Sequence, residues 1–477
     1  MTRRSWLAFA TIASAALVVR VAVALAFPNV AWPDEIFQTQ EQAHRAAFGF
    51  GIVPWEFRDG ARSWLLPGAL AVLYRLAGPL YREAGVVVLS LLSLIPVWGC
   101  FRAVDEQRQP HHSPWPAIVA AIAVAGWFEL IYFAPKALSE VVAAHFLCGA
   151  VFLSSRASSR SVRRLALAGV LAGLAAGLRV HLAPAVLVLC LVAVWGARRR
   201  ASPFVGALVF TVLAIGMLDW ATWGVPFASY LRTLEVNLVE GRARLWGTAP
   251  WWAYLDLFAA NWSIAGIVVL AFALLGARRE PLPLLLALVV LVTHSAIGHK
   301  EYRFAVPALL LVIYSAGLGC GVLVAAVPRA WLIALTITFW CVGSGMLARE
   351  LHTTKTTLSI ALLGPAWQFE AGRGGLTALG RLRTVQPLCG VGLVGVPWYL
   401  TGGYTWLHRD VPMEEVHDPR ALQAEAGAFN AAVALEDIVP PPLFEKEGCD
   451  AGLCVWRRTT GTGCAAPASD LRRFAPP

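Results

Sequence analysis

Two carboxylates, Asp34 and Glu35, stand side by side just past a long apolar run, Ser5 to Phe27. Charge that close to a membrane border is costly, and a functional role is the first inference. A carboxylate within hydrogen-bond reach of a hydroxyl can take its proton as the oxygen attacks an electrophile. Charge of the opposite sign stands elsewhere. His299, Lys300, Glu301 and Arg303 fall in one short stretch, H-K-E-Y-R-F, between two apolar segments, where packing alone does not explain them. Arg179 and His181 lie in G-L-R-V-H-L-A-P, and Arg62 in R-S-W-L-L-P. Arginine and lysine so placed can stabilise charge developing on a leaving phosphate without a metal. Plainer readings stay open beside these. Asp34 and Glu35 could cap a helix and favour its positive end, and Arg179 could snorkel to the interface.

The elements that must position these groups are mostly apolar. The 477 residues are 58% hydrophobic and 14% charged, with a mean hydropathy of +0.63. Soluble domains carry roughly a quarter charged residues, so most of this chain belongs in a membrane. The net charge of +10 is no nucleic-acid signature. The arginines fall in short runs between apolar segments, as the positive-inside rule produces, and lysine occurs only at 136, 300, 355 and 446. Segments long enough to span, or nearly so, run at about 5–27, 64–81, 84–101, 115–134, 137–155, 163–178, 182–197, 204–223, 263–276, 282–297, 302–326 and 330–348, about eleven or twelve in all. The first is too long for a signal peptide and reads as a transmembrane helix with a cytoplasmic N-terminus. Basic loops at 102–112, 156–164, 198–200, 278–279 and 329 are expected in the cytoplasm. They place 135–140, 179–181, 224–262, 298–301 and everything after 349 outside. Two full crossings between 64 and 101 conflict with that alternation, and the basic loops weigh more than any one boundary.

The stretch 29–68 is the first long polar interlude. Pro33 and Asp34 are helix-start residues, Gly49 and Gly51 are stops, and Ile36, Phe37, Ala43, Ala47 and Phe48 recur at roughly helical spacing. A helix over Asp34 to Phe50 would lie along the membrane surface. The second external stretch, 224–262, carries Trp246, Trp251, Trp252, Tyr254, Asp256, Asn261 and Trp262. It reads as an interfacial aromatic belt or as a wall of a substrate cleft. Residues 349–477 have charges, Gly-Pro turns and no span, and are expected to form a small α/β domain with V-G-L-V-G-V, 391–396, in its core. Gly169, Gly173 and Gly177 favour close helix packing. Of nine cysteines, Cys100, Cys148, Cys190, Cys320 and Cys341 lie in apolar segments. Cys389, Cys449, Cys454 and Cys464 lie in the tail, where an oxidising compartment permits disulfides whose connectivity stays open. No H-E-x-x-H or C-x-x-C pattern occurs, and His111-His112 reads as a solvated turn.

Five motifs in order now carry a resemblance: W-P-D-E-I-F-Q, E-Q-A-H-R, F-G-F-G, P-W-E-F-R and R-S-W-L-L-P. They are similar in order and spacing to the first external loop of the family 22 glycosyltransferases, the mannosyltransferases of asparagine-linked glycosylation and of glycosylphosphatidylinositol anchors. That loop reads roughly H-P-D-E-x-F-Q, E-x-A-H, F-G-x-G, T-W-E-x-R and R-S-x-x-x-P. Trp32 stands where the family usually has His. H-K-E-Y-R-F resembles the family's H-K-E-x-R-F, and R-V-H-L resembles its R-P-T element more weakly. Pro397, Tyr399 and His408 match a stretch of the anchor-type enzymes, C-H-S-T-P-x-Y-S-x-x-H, and favour an external tail packed over the active site.

The resemblance implies an α-helical polytopic membrane protein of C-type glycosyltransferase (GT-C) architecture with a small extracytoplasmic α/β domain. The expected division is a transmembrane catalytic part, 1–348, with external loops 28–63 and 224–262, and a soluble part, 349–477. The implied activity is inverting transfer of mannose from a polyprenyl-phosphate donor to a glycan or glycolipid acceptor. Asp34 is the expected base, with Glu35 orienting it or the acceptor. Arg179, His299, Lys300 and Arg303 are expected at the donor phosphate, supported by Glu301, His181 and Arg62. No metal or cofactor and no nucleic acid is expected. The arginine- and alanine-rich composition and short loops look bacterial, which points to the inner (plasma) membrane, with the site outside. A transporter or lipid flippase, and a polymer ligase using a diphosphate lipid, are the rival classes. Transporters favour midplane charge and internal repeats, neither of which is visible here.

Overall fold

The computed structural model describes residues 2–107, 113–155, 161–197, 201–356, 365–459, 464–465, 467 and 469–472. His111-His112 lie outside them, as do parts of the basic loops at 102–112, 156–164 and 198–200. Helix covers all twelve apolar stretches. Among the described residues five helices are long and apolar enough to cross a membrane: Arg3–Ala26, Leu65–Asp105, Ser202–Trp223, Tyr302–Ala326 and Ala330–Arg349. Ala253–Trp262 and Ala265–Ala277, bent by 108°, make a sixth crossing if they count as one. Trp115–Gly126, Ser139–Ser154, Val180–Gly196 and Leu282–Ser295 are shorter apolar helices. The protein is a multi-pass membrane protein of helical architecture.

The chain divides into two compact units: Met1–Leu25 with Val86–Trp367, and Ala26–Gly85 with Gln368–Pro477. The polar stretch 29–68, with the helix Leu65–Ala77 that follows it, thus belongs to the same unit as the tail.

The first unit is helical. Val306–Ala326 is buried along most of its length. Backbone approach depends on glycine, as in small-residue membrane packing. A methyl at Gly319 would lie 1.9 Å from the Phe272 carbonyl oxygen, and one at Gly169 would lie 2.2 Å from that of Phe204. The second contact joins Val162–Leu178 to Ser202–Trp223, as the glycine spacing predicts. Near the basic loops, Ser5 donates to Asp105 at 3.0 Å, and Glu106 pairs with Arg164 at 2.9 Å and with Arg102.

The second unit is α/β. Strands β1 (Val391–Val394), β2 (Met413–Val416), β3 (Ala431–Leu435), β4 (Phe444–Asp450) and β5 (Leu453–Arg458) form one sheet in the order β2-β1-β3-β5-β4. β1 runs parallel to β2 and β3, while β5 is antiparallel to β3 and β4. Val391 and Leu393, in the expected V-G-L-V-G-V core, pack in one cluster with Leu379, Leu382, Val30, Ile36, Phe37 and Ile52. Disulfides join Cys389 to Cys464 and Cys449 to Cys454, while the five cysteines of the apolar segments are free.

A buried carboxylate explains why residues far apart in sequence share this unit. Glu41 Oε1 accepts from the Ile52 N–H at 2.9 Å and the Tyr404 N–H at 3.0 Å. Oε2 accepts from the Thr405 N–H at 2.8 Å and the Thr405 hydroxyl at 2.7 Å. Hydrogen bonds to a charged acceptor contribute roughly 1.5–3 kcal/mol each, so four on one carboxylate hold the two segments firmly. His44 and His408 extend the seam, Nε2 to Nδ1, at 2.9 Å. Burial holds His44 down at about 3, so its ring is neutral. Nδ1 faces the Phe50 carbonyl at 3.1 Å and carries the hydrogen, leaving Nε2 to accept from His408.

Candidate active site

The acidic group lies in the second unit. The chain enters helix at Glu35 through a π-helical turn, Glu35–Gln40, and continues as Glu41–Phe48, ending at Gly49 with φ 94°. This replaces the single α-helix expected over 34–50. Such turns recur at functional sites because the extra residue re-aims side chains. Asp34 precedes the turn and makes no capping hydrogen bond, so capping does not account for it. It is half-buried, while Glu35 is buried and accepts from Gln40 Nε2 at 3.2 Å.

A third carboxylate, Glu56, joins them. It is buried and accepts from Gln38 Nε2 at 2.7 Å. Burial first, then the negative charge of Asp34, push it up to about 7, against the pull of Arg62 and the Gln38 hydrogen bond. Arg62 is thus felt at the acidic group. The signal for Glu56 was present in P-W-E-F-R, between the motifs that carry Asp34 and Arg62.

The cationic group lies in the first unit, at helix ends. Arg179 follows Val162–Leu178 with extended backbone, and Arg303 sits in the turn Tyr302–Ala305 before Val306–Ala326. Glu140, in the first turn of Ser139–Ser154, joins the two arginines. One oxygen, Oε1, lies 2.9 Å from Arg179 Nη2 and 3.2 Å from Arg303 Nη1. Both guanidiniums also lie over the Phe304 ring, at 5.2 and 4.8 Å. Glu301 accepts from Arg303 Nε and from His299 Nε2, the latter at 2.9 Å. Burial opposes charge on Glu301, but the Arg303 charge and these hydrogen bonds hold it down at about 2. The other nitrogen of His299 faces the Gly247 carbonyl at 3.0 Å. Neither a carbonyl nor a carboxylate has a hydrogen to give, so both ring nitrogens carry one and the ring is a cation. Although burial works against that cation, its pKa is raised by the Glu301 partnership.

Lys300 has a different engagement. Its ammonium donates to the Ala249 carbonyl at 3.1 Å and to that of Ile297. With the Ala249 N–H bonded to the Gly298 carbonyl at 3.0 Å, the H-K pair holds the 247–249 segment, while E and R of the same motif form the ion network. Glu129 secures the motif from behind. Buried, it accepts from the indoles of Trp127 and Trp262, each at 2.8 Å, and from the Tyr302 hydroxyl. Trp262 therefore has an anchoring contact beyond any aromatic-belt role. His181 lines a cavity of about 220 Å³ with Asn237, Thr233, Thr293 and His294, its ring 5.9 Å from that of His294. Among the described residues, no group of three or more His, Cys, Asp or Glu is placed to hold a metal ion.

Sequence reasoning named Arg179, His299, Lys300, Glu301 and Arg303 but passed over Glu140 and Glu129. Glu140 had one available signal, since it closes the 135–140 segment expected outside, a carboxylate at the same border as the cations.

The model of the Alg9-like mannosyltransferase family matches residues 11–408. The chain is 28% identical to GPI mannosyltransferase 3 of Yarrowia lipolytica, over 83% of this chain and 74% of that protein. It is 29% identical to GPI mannosyltransferase 4 of Eremothecium gossypii, over 82% and 75%. Among solved structures, ArnT from Cupriavidus metallidurans bound to undecaprenyl phosphate matches with a TM-score of 0.60 and 13% identity, over 95% of this chain and 98% of that one. At that identity the likeness shows the fold, which is GT-C.

Proposed function

Since the chain belongs to the Alg9-like mannosyltransferase family and is a membrane mannosyltransferase, we propose that it moves mannose, with inversion, from a polyprenyl-phosphate donor to a hydroxyl of a glycan or glycolipid on the outer face of the plasma membrane. The observation that carries the donor reading is the buried cationic network in which Glu140 joins Arg179 to Arg303 at two helix ends. Two guanidiniums at an apolar border suit a phosphate whose tail stays in the bilayer. ArnT, of the same fold, binds undecaprenyl phosphate, which supports a lipid phosphate here by analogy of fold.

In this reading the acceptor hydroxyl attacks the anomeric carbon and its proton passes to Asp34. The bond from that carbon to the phosphate oxygen breaks, and the phosphate leaves with the electron pair. Charge developing on it is met by Arg179 and Arg303, with His299 charged through Glu301 and Lys300 as a further cation. Glu35 and Arg62 orient the base and the acceptor, and His181 supports the donor side. The scheme uses no metal.

The test is transfer by purified protein from a labelled polyprenyl-phosphate mannose to a panel of glycan and glycolipid acceptors, with and without a chelator. Transfer that survives chelation and is lost in Asp34→Asn supports the reading. Transfer only from a diphosphate lipid, or movement of lipid across vesicles without transfer, would replace it with one of the rival classes.

A further inference from the structure

We propose that Glu140 is a resident counter-anion: it gathers Arg179 and Arg303 into one place and competes with lipid phosphate for them, so that the spent carrier is released. The inference rests on the reading of these arginines as the donor-phosphate site. Two like charges brought together repel, yet both guanidiniums contact a single oxygen, Glu140 Oε1, at 2.9 and 3.2 Å. Both also lie over the Phe304 ring. Glu140 is 2% exposed, so little solvent screens its charge.

Competition gives the carboxylate its second role. The guanidinium nitrogens that would meet a phosphate, Arg179 Nη2 and Arg303 Nη1, already lie on Glu140 Oε1. Transfer turns the carrier from a phosphodiester with one negative charge into a phosphate monoester, with a charge of about −1.5 to −2 at neutral pH. Repulsion from the Glu140 carboxylate grows with the charge of the ligand, so it bears harder on the product than on the donor. Without that carboxylate the arginines would hold the monoester more tightly. Gathering and release are two consequences of one carboxylate.

The experiment measures inhibition of the purified enzyme by farnesyl phosphate, a short polyprenyl monoester, as a probe of product affinity. Glu140→Gln retains an oxygen for both guanidiniums but removes the charge. It is expected to bind farnesyl phosphate at least about tenfold tighter, the size of one charged hydrogen-bond partner. Glu140→Asp keeps the charge and is expected to stay near the parent affinity. Unchanged or weaker affinity in a folded Glu140→Gln would overturn the proposal. Removing a partner from a buried ion pair can prevent folding, so the Glu140→Gln/Arg179→Gln pair supplies a charge-balanced second test. Arg179→Gln alone is expected to weaken binding about tenfold, and the double variant to recover most of it by the coupling expected of residues in contact. A double variant as weak as Arg179→Gln overturns the role of Glu140. No loss in Arg179→Gln itself overturns the phosphate reading first, and the counter-anion with it.

Discussion

The acidic group around Asp34 and the ion network around Arg303 respond to burial in opposite ways. Glu56 and Glu301 are both carboxylates taken largely out of water, and burial pushes each toward its neutral form. Glu56 has Asp34 as a neighbour and rises to about 7. Glu301 has Arg303 and His299 and falls to about 2. The sign of the neighbour, not the depth, decides which carboxylate keeps its charge. A carboxylate with raised proton affinity, as Glu56 has, suits proton transfer, and a paired network suits holding a charged ligand in one geometry.

The largest effect should come from the acidic side. Asp34→Asn keeps the size and removes the proton acceptor, so turnover should fall at least about a hundredfold while the thermal unfolding profile is unchanged. Near-normal transfer would move the base to Glu35 or Glu56. On the cationic side, Arg303→Lys keeps the charge but loses the planar fork that meets Glu301 and Glu140. Donor use should drop about ten- to a hundredfold, read as kcat/KM in a donor titration at saturating acceptor. Lys300→Ala sharpens the contrast within the motif. Turnover should fall about tenfold through loss of a charged donor, and a rise in donor KM as well would give Lys300 a phosphate contact beyond its two carbonyls. Unchanged donor kinetics would remove it from the site.

The smallest effect is a pair of opposite pH slopes. The folded chain holds a proton on Glu56 that an ordinary carboxyl, near 4.5, gives up. Its contribution to stability is present at low pH and is lost as pH rises through about 7. Glu301 contributes above about 4.5, and that contribution is lost as pH falls toward about 2. Glu56→Gln should therefore unfold a few degrees higher than the parent at pH 8 and much like it at pH 5, by thermal unfolding in detergent. A variant less stable than the parent at pH 8 would show that Glu56 is ionised and paired in the folded chain.

Much of the plan can be read without coordinates because the signals are local. Each apolar stretch reports a helix through its own hydropathy. The V-G-L-V-G-V run reports a buried strand, the glycines at 169, 173 and 177 a close helix contact, and W-P-D-E-I-F-Q with H-K-E-Y-R-F a family. The boundary of the tail is local too, since composition changes at about 349, close to the unit boundary after Trp367. Yet the same boundary misses the other half of that unit, Ala26–Gly85, because the tie is a carboxylate at 41 bonded to backbone at 404 and 405. No periodicity records a pairing across that separation.

The cationic residues show the same division. Their types and their places at helix ends are written in the chain, but types do not say which acceptor each donor meets. Lys300 meets carbonyls and Arg303 meets carboxylates although only two residues lie between them. Four tail cysteines allow three connectivities; the β4–β5 pairing sets Cys449 opposite Cys454, which leaves Cys389, just before β1, to Cys464. Glu140 looks like an ordinary first-turn acid in sequence. It becomes the link between Arg179 and Arg303 because helix packing brings three chain segments to one oxygen. Sequence by itself determined the membrane class, the family and the chemical inventory, all carried by composition and short motifs. Tertiary structure alone decided the partners, because a buried charge must be satisfied by whatever the packing places beside it.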